Sequence, residues 1–192
     1  MLSLMRYWLD KVYLTYFIIH LPILFCVDLV PLYPTSFWVP PSSPLHFLYE
    51  LRVYYLDTYN DQFFAPPPAD IPNFFPLFAF LELVFHLPIS LWAVRTLLGG
   101  NRGASNGVRR SGLNGRAELL LLVYGIETTL TTATCMYEAF LWDPAIVTTQ
   151  QKVVLLGGFY GGYLAVAILL TADMYARLLK RLSTVDDGKK NQ

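Results

Sequence analysis

Charge is what this chain has least of. Only 15% of its 192 residues are Asp, Glu, Lys or Arg, against 55% hydrophobic, too little polar surface to coat a soluble globule. The fourteen basic and fourteen acidic residues cancel, so no excess of one sign is available to attract nucleic acid or an acidic substrate. The basic residues are scattered through short connections, with no basic helix and no basic-aromatic pattern, and no nucleic-acid partner is expected. Cysteine is rarer still. Cys26 and Cys135 both fall inside apolar runs, where they read as small buried hydrophobes with free thiols, and nothing around them has metal-ligand spacing. Neither a metal nor another cofactor is expected.

What is present is apolar length. Four segments of about 20 residues, at 8–30, 74–98, 118–141 and 153–179, have the length a helix needs to cross a ~30 Å hydrocarbon core. The expected fold class is all-α: a polytopic membrane four-helix bundle. The first segment sits where a secretory signal would, but it carries His20, Pro22 and Asp28 and lacks a small-residue cleavage site, so it reads as a retained span. Arg52 and Lys152 fall on one side of the bundle and the other twelve of the fourteen basic residues on the opposite side, which predicts cytosolic termini. A membrane domain over 8–179 and a cytosolic basic tail over 180–192 follow. The tail ends Lys189-Lys190-Asn191-Gln192, the spacing of a dilysine signal for retrieval to the endoplasmic reticulum, the expected compartment.

The connection 31–72 is Pro-rich at both ends. Between the prolines, the breaker-free stretch 45–61 sets Leu48, Leu51, Tyr55 and Tyr59 at helical spacing, predicting a short amphipathic helix in a lumenal loop that lies as a lid over the bundle. The connection 99–116 is rich in Gly, Asn, Ser and Arg and carries no acid; it reads as a mobile cytosolic loop near anionic lipid.

Two spans share a tripeptide, His20-Leu21-Pro22 and His86-Leu87-Pro88, and each carries one acid, Asp28 and Glu82. A carboxylate near the bilayer interior costs ~2.5–3.5 kcal/mol, so it faces the bundle and finds a partner. In antiparallel neighbours, Asp28 six residues after its proline and Glu82 six before its own both lie about 9 Å to the same side of the prolines. Two carboxyls in one apolar pocket do not both ionise cheaply. The pair then carries about one negative charge, suited to a cationic amine on a hydrophobic body or to a hydroxyl. The alternative is that Asp28 is interfacial and solvated while Glu82 merely bonds a neighbouring helix.

Each histidine precedes a proline by two residues, where the missing N–H frees a carbonyl that the ring can satisfy. His86 also follows Glu82 by four residues and shares its helix face, which makes it a wall of the same site. Glu127 lies near mid-membrane, followed by Thr128, Thr129, Thr131, Thr132 and Thr134, whose hydroxyls either bond helix carbonyls or line a cavity. Glu138, Asp143 and Asp173 fall near the interfaces and are expected to be solvated. The run Gly157-Gly158-Phe159-Tyr160-Gly161-Gly162-Tyr163 holds two overlapping small-x-x-x-small pairs, predicting close helix packing that aims Tyr160 and Tyr163 inward.

Over about 13–179 the chain resembles the EXPERA superfamily, and within it the sigma-2 receptor (transmembrane protein 97) branch. The resemblance rests on Tyr16-Phe17-Ile18-Ile19-His20-Leu21-Pro22 leading to Asp28-Leu29, and on Glu82-Leu83-Val84-Phe85-His86-Leu87-Pro88. Asp61 ahead of Pro66-Pro67, Tyr124 with its Thr-rich sequel, and Tyr160-Gly161-Gly162-Tyr163 support it. It implies a four-helix endoplasmic-reticulum protein whose lipid-accessible cavity binds sterols and hydrophobic amines. Asp28 matches the acid that pairs with a ligand amine, Glu82 its carboxyl partner, and Asp61 a structural acid. His20, His86, Tyr124, Tyr160 and Tyr163 complete the expected ligand-binding set. The chain departs from the branch at His86, where animal receptors typically carry an amide, and at Glu127, which replaces a histidine.

The leading expectation is a non-enzymatic sterol- or lipid-binding protein with a role in sterol transport or homeostasis. A sterol double-bond isomerase of the emopamil-binding type is the runner-up, with Glu82, His86 and Glu127 as acid-base groups. That branch, however, carries a His-x-x-x-Glu order where this chain has Glu82-x-x-x-His86, and it has an additional span. A structural or targeting factor of the membrane is the third reading. The expected partners are a sterol or cationic amphiphile and membrane lipids, and a homodimer is compatible with the exposed small-residue faces.

Overall fold

The structure, a computed structural model, describes residues 2–66, 69–99 and 113–190, with side chains described between 4 and 184. Most of the 99–116 connection, the side chains of Lys189 and Lys190, and the last two residues therefore lie outside the described part. Among the described residues every regular element is helical.

Helix α1 (Leu2–Ile23) continues into a π-helical turn (Leu24–Asp28), and two 3-10 turns lead to α2 (Phe47–Tyr59). Next, α3 (Phe75–Leu81), a second π turn (Glu82–His86) and α4 (Leu87–Gly99) run on as one rod. The third rod is α5 (Gly115–Leu141), unbroken, and the fourth joins α6 (Thr149–Val153), a third π turn (Val154–Tyr160) and α7 (Gly161–Lys190). Four stretches, Leu4–Asp28, Phe75–Gly99, Gly115–Leu141 and Thr149–Thr184, are long and apolar enough to cross a membrane, and only 17–28% of each one's most apolar window is buried within the protein. The rest turns outward: Ile19, Phe80, Leu130, Phe140 and Ile168 are each more than half exposed. Water would not tolerate so much contiguous apolar surface, whereas acyl chains do. The chain is a multi-pass membrane protein.

Local chemistry sets the ends and breaks of these rods. Asn114 caps α5, its side chain accepting from the Ala117 N–H at 2.9 Å, and Thr148 with Gln151 forms a reciprocal capping box on α6. Two of the three π turns adjoin the prolines: Pro22 precedes Leu24–Asp28 and Pro88 follows Glu82–His86. A proline removes one i→i−4 bond and crowds the preceding turn, and at Pro88 that turn is the widened Glu82–His86, where Leu87 N–H reaches back to the Glu82 carbonyl. The turn that follows Pro22 is widened too, Leu29 N–H bonding the Leu24 carbonyl at 2.9 Å.

The lid helix forms between Phe47 and Tyr59 and stops at Asn60, whose left-handed φ of 52° lets its N–H close on the Leu56 carbonyl at 2.8 Å. Its covered face is narrower than the spacing implies. Leu48 is buried and Tyr55 and Tyr59 are half-buried, but Leu51 points outward.

The close helix approach falls elsewhere than the glycine run suggests. Helices α5 and α7 meet most extensively, and a Cβ on Gly125 would lie 2.5 Å from Thr171 Oγ1 and 3.3 Å from the Ala167 carbonyl oxygen. At Gly157, Gly158 and Gly162 a Cβ would find nothing within 4 Å. These glycines belong to or border the widened turn, and they leave space instead of filling it.

Three apolar clusters form among the described residues. One joins Tyr13 and Phe17, Ile89 and Ala93, Leu121 and Tyr124, and Leu170 and Met174; a second gathers Phe63, Phe64, Cys135 and Ala139 with Phe75 and Tyr160; a third, smaller, packs Val30, Trp38 and Leu48. At the outer end of the first core, buried Arg177 pairs with Asp10 at 2.8 Å and with Asp173 at 2.6 Å, and Tyr13 donates to Asp173 at 3.0 Å. Asp173 is thus not solvated as expected. Arg177 one turn along α7, and Asp10 and Tyr13 on α1, enclose it.

Candidate ligand-binding site

Between the first two of these clusters the chain gathers intramembrane polar residues. His20 on α1 bonds the Tyr163 hydroxyl through Nδ1, and its ring stacks on Tyr16 with centroids 5.5 Å apart. His86, at the end of the second π turn, bonds Glu127 of α5 through Nε2, while its Nδ1 lies 3.0 Å from Glu82 Oε2. The Nδ1 contact is close enough for an ion pair but is not aligned as a hydrogen bond. The His20 and His86 rings meet edge to face at 5.8 Å, and Tyr124 packs on His86 at 4.8 Å and bonds the Tyr16 hydroxyl at 3.2 Å. One aromatic-polar layer thereby joins residues of all four spans.

Immediately beside this layer lies a cavity of about 470 Å³, within the usual range of small-molecule sites. Asp28 and Glu82 both line it, as do Thr131, Thr132, Tyr160 and Tyr163; Phe75, Phe78 and Phe159 supply apolar wall. Gly158 and Gly162 are also on the wall, where their missing side chains leave room. A second groove of similar size between α1 and α7 shares Gly162 and Tyr163, but no carboxylate lines it.

Asp61 ties the lid to the cavity wall. Fully buried, Asp61 accepts from the Tyr55 hydroxyl at 2.8 Å, the Tyr160 hydroxyl at 2.7 Å and the Phe63 N–H at 3.0 Å. Tyr55 and Phe64 of the lid segment reach the cavity wall. Burial pushes the Asp61 carboxyl above its ordinary range, although all three donors oppose the shift. Burial together with the Asp61 charge raises the Tyr55 hydroxyl.

Of the residues singled out in the sequence, Asp28, Glu82, Tyr160 and Tyr163 share the cavity wall. His20, His86 and Tyr124 stand behind it in the aromatic layer, with Tyr163 and Glu82 belonging to both. Sequence reasoning left Glu127 without a partner; its bond to His86 comes from a different helix, and no spacing along either one signals it. The threonines divide as their alternatives allow. Thr128, Thr129 and Thr134 bond carbonyls one turn back, and Thr131 both bonds back and lines the cavity.

Comparison with known proteins agrees with this architecture. The family profile described as EXPERA (EXPanded EBP superfamily) matches residues 47–174. The chain is 30% identical over 183 residues to the Schizosaccharomyces pombe protein named Efficient mitochondria targeting-associated protein 19, a match covering 95% of this chain and 84% of that protein. The match reaches beyond the lid, the cavity wall and the aromatic layer at both ends, and the chain belongs to the EXPERA superfamily.

Proposed function

We propose that this chain is a non-enzymatic membrane protein that binds a sterol or a hydrophobic amine in the cavity between its spans, much as its sigma-2-receptor-like sequence suggests. The observation that carries the reading is Asp28. Half-buried on an otherwise largely apolar wall, it makes no hydrogen bond or ion pair among the described residues, and Glu82 lines the same space. A carboxyl in such a setting is completed by a ligand's ammonium or hydroxyl group, and the aromatic wall takes the apolar body. The isomerase reading is less well supported. Of its three acid-base groups, only Glu82 lines the cavity. Residence in the endoplasmic reticulum with cytosolic termini, and a role in moving or buffering sterol, complete the proposal.

Gentle extraction of the full chain followed by mass spectrometry of co-purifying lipid tests it. A sterol or an amphiphilic amine held in about equimolar amount supports the reading. Bulk phospholipid alone, in both the wild type and Asp28→Asn, overturns it.

The relative's name favours a second reading, a factor associated with mitochondria targeting. In cells lacking the chain, slowed import of mitochondrial precursors that Asp28→Asn restores as well as the wild type would favour targeting over ligand binding.

A further inference from the structure

We propose that His20, Glu82 and His86 form a binding site for a borderline divalent cation such as zinc. One ligand atom from each lies within 4.8 Å of the others. His86 Nδ1 and Glu82 Oε2 are 3.0 Å apart, near the ~3.3 Å edge of a tetrahedron with bonds of about 2.0–2.1 Å. Among the described residues, three atoms here are buried without a hydrogen bond: His20 Nε2, which has no contact of its own, and His86 Nδ1 and Glu82 Oε2, which face each other at 3.0 Å without hydrogen-bond alignment. The two rings themselves are only 1% and 3% exposed. Buried polar atoms left unpaired are costly, and a cation would satisfy all three at once.

The opposite edge of each ring is already held. Tyr163 engages His20 Nδ1, and Glu127 engages His86 Nε2. Metal-ligating histidines are oriented in this way, the distal N–H anchored to an oxygen so that the other nitrogen presents its lone pair. With Nδ1–H of His20 donating to Tyr163 and Nε2–H of His86 donating to Glu127, both lone pairs face the Glu82 carboxylate. Charge agrees as well. A dication held by neutral imidazoles would offset the negative charge that a carboxylate ligand brings into an apolar bundle. Two imidazoles and one carboxylate suit zinc better than magnesium or calcium, which take mostly oxygen ligands. Three protein ligands leave a fourth position open, and because Glu82 also lines the cavity, the ion borders the space proposed for the ligand. Sequence reading gave no sign of this site because its ligands come from two helices and none is cysteine.

The full chain, purified in detergent, stripped with chelator and titrated with Co²⁺ and Zn²⁺, tests the proposal. One metal per chain is expected, with ligand-field bands of a four- or five-coordinate Co²⁺ site. His20→Gln and Glu82→Gln should weaken binding at least tenfold, and Tyr163→Phe by about tenfold or more. Asp28→Asn, which removes no ligand atom, should weaken metal binding far less than Glu82→Gln while weakening capture of a cationic amphiphile more, which separates this site from the amine-binding proposal. Absence of stoichiometric metal on wild-type protein of native helicity overturns the inference, and so does binding that His20→Gln and Glu82→Gln both leave intact.

Discussion

The imidazole of His86 bonds Glu127 on the third span while sitting 3.0 Å from Glu82, one turn away on its own span. One ring thus joins the carboxylate on the cavity wall to the carboxylate behind it. Coupling across helices in a membrane is worth about 0.6–2 kcal/mol, so a double-mutant cycle of His86→Leu and Glu127→Leu should return a coupling in that range, read from thermal unfolding in detergent. His86→Gln, which keeps a donor, should cost less than His86→Leu. Additive single changes would show that the pair adds no stability.

Asp28 offers its carboxyl to the cavity and makes no hydrogen bond or ion pair among the described residues. Asp28→Asn should lower affinity for a cationic amphiphile at least tenfold, about 1.4 kcal/mol, with circular dichroism unchanged. The same probe on Glu82→Gln should lose less, since Glu82 Oε2 is turned toward His86 Nδ1, 3.0 Å away, while Asp28 faces the cavity alone. Radioligand or fluorescence titration reads both, and unaltered affinity in Asp28→Asn would sink the acid-pair site.

Asp61 gives a pH dependence with a definite sign. Burial holds its carboxyl above the ordinary range in the folded protein, so the folded state keeps the proton more tightly than the unfolded chain. The resulting stabilisation is fully present below about pH 4, the ordinary value, and is lost as pH rises through the folded-state value. Melting temperatures measured across this acid window should decline with pH on account of Asp61, and Asp61→Asn should flatten that part of the profile.

Arg177 is almost fully buried between Asp10 and Asp173. Arg177→Ala removes one charge and strands two, and should destabilise the chain by about 3–5 kcal/mol. Arg177→Lys should rescue only part of that, because a single ammonium cannot reproduce the fork that reaches both acids. Chemical unfolding in mixed micelles measures the difference. Equal stability of Arg177→Lys and wild type would show that the fork geometry does not matter.

Residue counting placed Asp28 and Glu82 at one depth because depth along a helix accumulates at a nearly constant rise, which the single added residue of a π turn barely changes. Direction around the helix is less forgiving, since each inserted residue rotates everything after it by about 100°. For that reason the spacing of the glycine run predicts a packing face, whereas Gly158 and Gly162 border a cavity. The Asp173–Arg177 pair was legible as an i, i+4 spacing; proximity to the interface obscured it.

Apolar length by itself determined the four spans and their order, and the rarity of acids in them marked Asp28 and Glu82. These are sums and counts along one strand of covalent bonds. Which atoms meet was decided only in three dimensions: His86 with Glu127, His20 with Tyr163, and Asp61 with Tyr55 and Tyr160. Such contacts depend on the rotational phase and axial offset of separate helices, set by π turns and by the fit at Gly125, and side-chain spacing within a single helix carries no record of either.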